Sequence, residues 1–242
     1  MPFEPRPSQP PAAARPFPSV VVSGASDVER TFIAAVYRWM ALGLGVTALV
    51  AWSVAGSPSL LQLIVYNKWI FYGLMIAEVG LVITLSAAVQ RLPAAAAGAL
   101  FLLYSALNGA TLSIILLIYT SASIGSAFAV TAATFLGMSV YGTVTKKDLT
   151  SWRSFLMMGL FGVVIASVVN MFMRSSAVEF LVAGASVIVF TGLTAYDTQK
   201  LRAYARAGGA EVAAAPVAGA LSLYLDFINL FLALLRLFGR RR

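Results

Sequence analysis

A chain of 242 residues that is 60% hydrophobic and 11% charged, with a mean hydropathy of +0.87, lacks the polar positions a water-soluble surface needs and reads as a polytopic membrane protein. The absence of cysteine and histidine excludes disulfides, thiolate nucleophiles, zinc sites with nitrogen or sulfur ligands and histidine proton relays. The net charge of +8 lies mostly in loops and termini, where it sets topology, and implies no nucleic-acid partner.

Residues 1–28 hold seven of the ten prolines and no sustained apolar period, so a disordered, Pro-rich cytoplasmic tail is expected there. The segment PPAAARPFP does not supply the apolar core of a cleavable signal peptide. Residues 29–242 then form one transmembrane domain of seven apolar runs, each near the ~20 residues that cross a bilayer. The expected spans are Ala35–Ala55, Trp69–Val89, Ala97–Ile118, Ile124–Val144, Phe155–Met173, Ala177–Tyr196 and Val217–Phe238. The fold class is therefore all-α, with Pro58 and Pro93 in loops and Pro216 in the first turn of the last helix. Gly43, Gly45, Gly73, Gly80, Gly137, Gly159, Gly162, Gly184 and Gly192 fall inside the runs and are expected to let helix backbones pack closely.

Orientation follows from the basic residues. An N-terminus in the cytoplasm puts Arg6, Arg15, Arg30, Arg38, Arg91, Lys146, Lys147, Arg153, Lys200, Arg202 and Arg206 inside, against Lys68, Arg174, Arg236, Arg240, Arg241 and Arg242 outside. That excess favours N-in. It sends the basic C-terminal GRRR outside unless the last run is a re-entrant hairpin, and Ser222–Phe238 contains no Gly or Pro at which to turn back. The Lys146-Lys147-Asp148 loop and the Arg240–Arg242 tail read as topology signals and lipid-headgroup contacts.

Acids inside such runs are costly, by roughly 2.5–3.5 kcal/mol at a span centre, and normally face a protein interior or a wet cavity with a partner. Asp197 in FTGLTAYDTQKLR and Asp226 in LSLYLDFINLFLALLRLFG stand on the last two spans and are expected to partner each other. Two carboxylates held together in a low dielectric share a proton and titrate as a unit. A second charge appearing as pH rises would drive them apart or admit a cation. The spans as drawn put Asp226 about 13 Å along its helix while Asp197 lies at the end of its own, so the sixth helix must continue towards Arg202 or the seventh begin late. Glu78, mid-span, reads equally as a pore-facing ligand and as a packing hydrogen-bond partner. Asn108 and Asn170 read as interhelical hydrogen-bonding groups, while a hard divalent cation would find oxygen ligands in Asp197, Asp226, Glu78, Asn108 and Asn229.

Several stretches in order, YRWMALGLGVTALVAW, AEVGLV, LFLLYSALNGATLS, YGTVTKKDLTSW, AYDTQKL and SLYLDFINLFLALLRLFG, resemble the bacterial branch of the Bax inhibitor-1 family, the transmembrane Bax-inhibitor-motif proteins. The resemblance covers residues 30–239. It implies a seven-helix fold in which two layers wrap a central last helix, and a pH-sensitive calcium leak of the inner membrane. It also implies an aspartate pair as pH sensor, matched here by Asp197 and Asp226, and an arginine latch, for which Arg91 is the candidate by location. No cofactor is implied; calcium and protons are the expected permeant or weakly bound ligands, and the bilayer is the expected partner. A proton/cation antiporter and a non-conducting regulator that binds other membrane proteins are the competing functions. An intramembrane aspartyl protease is disfavoured because Leu223-Tyr224-Leu225 stands where such enzymes carry a glycine-rich motif.

Overall fold

The computed structural model describes residues 21–88, 91–208 and 213–242. Most of the expected Pro-rich tail lies outside the described residues. Helix α1 (Val21–Ala55) begins at Val21, within the stretch expected to be disordered. It is followed by a short α2 (Pro58–Ile64), α3 (Lys68–Ala88), α4 (Ala94–Ile118), α5 (Ser121–Val144), α6 (Arg153–Met173), α7 (Ser176–Arg206) and α8 (Ala215–Phe238). Seven of these are long and apolar enough to cross a membrane, and the protein is an all-α polytopic membrane protein. Among the described residues there is no β-strand, only an isolated bridge between Tyr119 and Arg241.

The helix ends follow local chemistry. Pro93 precedes α4, Pro216 lies in the first turn of α8, and Pro58 opens α2, which hydropathy did not anticipate because seven residues cannot span a bilayer. Thr120 and Ser175 cap α5 and α7, accepting from the backbone N–H of Ser123 and Val178. Asp148 caps the 3-10 turn Leu149–Trp152 that leads into α6, and the side-chain and backbone bonds from Thr150 hold its carboxyl below its ordinary range.

Helix α8 is the most enclosed element, with 67% of its apolar window buried against 6% for α3 and for α6. It packs on α1, α4, α5 and α7. Tyr224, at 0% exposure, meets Phe101 and Tyr104 edge-on with ring centroids 5.7 Å apart, and Phe227 meets Phe128 and Phe135 at 5.5 Å. The outer faces of α3 and α6 display large apolar side chains such as Ile76, Val79, Phe161 and Phe172, which suit lipid.

The glycines divide unevenly. Gly43, Gly159 and Gly192 meet side chains of neighbouring helices as expected, whereas Gly45, Gly73, Gly80, Gly137, Gly162 and Gly184 face open space. The closest backbone approaches are elsewhere: Gly109 lets α4 lie against the Thr47 carbonyl of α1, and Gly142 lets α5 lie against the Ala195 carbonyl of α7. Hydropathy places a glycine inside a span but not on a face of it.

Since α8 is continuous, the basic tail leaves the bundle on the face opposite the start of α1. There its backbone docks on the α4–α5 turn: Thr120 N–H donates to the Arg240 carbonyl at 3.1 Å, and Arg242 N–H donates to the Ile118 carbonyl at 2.8 Å. Arg241 pairs with Glu179 at 2.9 Å. The re-entrant hairpin is not formed.

Candidate functional site

The sixth span extends well beyond its expected end at Tyr196, reaching Arg206. The polar stretch AYDTQKLRAYAR stays helical because its own apolar side packs on neighbours: Ala205 is buried, and Leu201 and Tyr204 pack against the main core. This extension removes the geometric difficulty posed by the sequence. Asp197 now lies within α7, level with α8, and its Oδ2 accepts the Ser222 hydroxyl at 2.5 Å. Asp226 follows Ser222 by four residues, one turn or about 6 Å along the same face of α8.

The two acids therefore share the α7–α8 interface, in different surroundings, but the direct pairing expected of them is not formed: among the described residues no hydrogen bond joins them. Asp197 is partly buried and carries Ser222 as its hydroxyl donor. Asp226 is 4% exposed, and its Oδ2 has no hydrogen-bond partner among the described residues. Buried polar atoms nearly always find partners, so an unsatisfied carboxyl oxygen in the most enclosed helix requires an explanation. Lys200 is exposed, one turn beyond Asp197 on α7.

The remaining candidates lie apart from this pair. Arg91 is exposed in the α3–α4 connection and forms no ion pair among the described residues. Glu78 accepts the Thr111 hydroxyl at 2.8 Å, joining α3 to α4. Asn108 is buried, donates to the Tyr104 hydroxyl of its own helix at 3.1 Å and leaves its Oδ1 without a partner among the described residues. The interhelical role expected of Asn108 is thus replaced by a bond within α4, since residues four apart meet on one helix face. Asn170 similarly turns back on local backbone, accepting Ser175 N–H at 3.0 Å in the α6–α7 turn. Asn229 donates to the Leu225 carbonyl one turn earlier, at 2.8 Å, and lies one turn beyond Asp226. Among the described residues no three acidic side chains converge on one point.

Three features near the pair were not anticipated. Ser222 is one, and no hydropathy signal separates it from other small polar residues. Another is Glu29 in α1, whose side chain is 11% exposed and takes guanidinium bonds from Arg202 and, at 2.7 Å, from Arg206. Arg202 also donates to the Thr143 carbonyl of α5, so the end of α7 is tied to both α1 and α5. The third is a buried contact between α1, α4 and α8. Thr47 donates to the Ser105 carbonyl at 2.9 Å and, its own hydrogen thus used, receives the Tyr224 hydroxyl at 2.6 Å.

Fold and site together define a seven-helix membrane protein whose last two helices bring two carboxyl groups, one buried and one bonded to a serine hydroxyl, onto one interface. A model of the family described as "Inhibitor of apoptosis-promoting Bax1" matches residues 29–242, and the chain belongs to that family, the Bax inhibitor-1 family. It is 49% identical over 217 residues to the inner membrane protein YbhL of Escherichia coli K12, covering 88% of this chain and 93% of that protein. It is 45% identical over 218 residues to an uncharacterized protein of Borreliella burgdorferi, covering 89% and 94% of the two chains. An uncharacterized membrane protein of Streptococcus pyogenes serotype M1 is 39% identical over 224 residues, covering 91% and 97%.

Proposed function

We propose that this protein is a passive, pH-sensitive calcium leak of a bacterial inner membrane, with its N-terminus in the cytoplasm and no enzymatic step, gated where Asp197 meets α8. The carrying observation is the buried, unsatisfied carboxyl of Asp226, one turn from the Ser222–Asp197 bond. Two carboxyl groups this close to one interface and screened from water do not readily both ionise, so one of them keeps its proton at lower pH. As pH rises the second charge appears, the α7–α8 contact is weakened by repulsion, and a cation becomes the available counter-charge.

Two carboxylates, a serine hydroxyl and the Asn229 amide fall short of the 6–8 oxygens of a tight calcium cage, which suits an ion that enters and leaves. The orientation rests on the excess of Lys and Arg on the face where α1 begins, and the inner-membrane location on the likeness to YbhL.

The test is calcium-dye flux into proteoliposomes across a pH series. Asp197→Asn and Asp226→Asn are each expected to flatten the pH response. Unaltered flux and pH response in both variants would remove the pair from the mechanism. Uphill calcium movement driven by an imposed proton gradient would replace the leak by an antiporter.

A further inference from the structure

On the face where α7 ends, the ends of α5 and α7 and the α5–α6 connection line an open cavity of about 500 Å³, within the roughly 300–1,000 Å³ of small-molecule sites. Its wall carries Lys146, Lys147, Lys200, Arg202 and Arg206 against a single carboxylate, Asp148. That carboxylate is already engaged, its Oδ1 accepting Thr150 N–H at 2.8 Å. Glu29 offsets one of the five positive charges through Arg202 and Arg206. The three lysines are exposed and form no ion pair among the described residues.

The loop that presents two of them is braced. Gln199 of α7 accepts Leu149 N–H at 2.8 Å and donates its Nε2–H to the Lys147 carbonyl at 2.9 Å, while the Leu149 side chain, 1% exposed, anchors the turn in the core. Topology alone would be served by cations scattered along the membrane edge. Here cations from two segments more than fifty residues apart converge on one concavity, and two carboxylates, Asp148 and Glu29, offset only part of their charge.

We infer that this cavity binds a phosphate-bearing anion, with Lys146, Lys147 and Lys200 as its ligands. Lysine ammonium groups serve phosphate as point charges, and basic pockets at the membrane face hold anionic lipid head groups. The anion can come from a phospholipid of the adjoining leaflet or from a soluble phosphate compound; the chemistry required of the lysines is the same. This assignment is independent of the calcium-leak reading, because its test reads binding and not flux.

Full-length protein in detergent is titrated with phosphatidylglycerol, with phosphatidylcholine of the same chain length, and with inorganic phosphate, and bound ligand is counted by native mass spectrometry. The variant Lys146→Gln/Lys147→Gln/Lys200→Gln is compared with Arg240→Gln/Arg241→Gln/Arg242→Gln, which removes as many charges from the opposite face. The expected result is at least a ~10-fold loss of anion affinity in the lysine variant and little change in the control. Loss confined to phosphatidylglycerol identifies a lipid head group, and lysine-dependent binding of inorganic phosphate identifies a soluble anion. Equal losses in both variants, or no loss in either for both probes, would overturn the assignment in favour of diffuse surface charge. All three lysines are exposed, and an unchanged melting temperature checks that each variant is folded.

Discussion

Glu29→Ala should loosen the end of α7, and the size of the effect can be worked from exposure. Arg206 is 59% exposed, so its bonds to Glu29 resemble a surface ion pair, worth at most about 1 kcal/mol. Arg202 and Glu29 are 23% and 11% exposed, which places that pair between the surface value and the roughly 3–5 kcal/mol lost when a fully buried pair is broken. About 1–2 kcal/mol is a reasonable share, softened because Arg202 keeps the Thr143 carbonyl. The sum, roughly 1–3 kcal/mol, corresponds to a fall of about 2–12 °C in apparent Tm for a chain of this size. A double-mutant cycle of Glu29→Gln with Arg202→Gln, read by thermal unfolding in detergent at low and high salt, isolates the pair. A coupling energy of about 1 kcal/mol that persists in high salt is expected, because partly buried charges are weakly screened. Coupling within about 0.3–0.5 kcal/mol of zero would refute the reasoning, since that is the additivity expected of independent sites.

Tyr224→Phe removes a donor but leaves Thr47 bonded to Ser105, so a loss of about 0.6–1.7 kcal/mol is expected in a denaturation series. Gly109→Val drives a side chain into the Thr47 carbonyl and should cost upwards of about 1–3 kcal/mol or prevent folding, whereas Gly45→Ala, facing open space, should be neutral or stabilising by expression yield and Tm. Glu179→Gln breaks the pair with Arg241, whose side chains are 40% and 61% exposed, and should shift stability by less than ~1 kcal/mol, an effect that disappears in high salt. Because the Asp148 carboxyl is held below its ordinary range, its contribution to the 3-10 turn is present above the unfolded carboxylate pKa of about 4 and is lost as pH falls through the lower folded value. Amide exchange at Thr150 should therefore stay slow at mildly acidic pH and become fast in Asp148→Ala but not in Asp148→Asn.

What the sequence could reveal about the candidate site depended on the range of the physics involved. Asp226 was legible because an acid in LSLYLDFINLF is expensive wherever the helix sits. Ser222 was not, since its importance comes from standing opposite Asp197, which is a matter of register between two helices. Glu29 carried no signal either: its two guanidinium partners are more than 170 residues away. Glu78, Asn108 and Asn229 looked alike as polar residues in apolar runs, yet the first bonds across α3–α4 and the other two bond within their own helices.

By itself the sequence determined an all-α membrane protein with seven spans, because the free energy of placing apolar side chains in lipid accumulates along about 20 consecutive residues and needs no partner. It also determined which side chains are anomalous there. The tertiary structure alone decided that α7 runs on to Arg206, which glycines face another backbone, and that α8 is the most enclosed helix. It alone set Asp197 against Ser222, one turn before Asp226 on α8, and gathered the lysines around one cavity. Those outcomes depend on how each helix is rotated about its axis and slid against its neighbours, which is settled by interlocking side chains distant in the chain and leaves no trace in hydropathy.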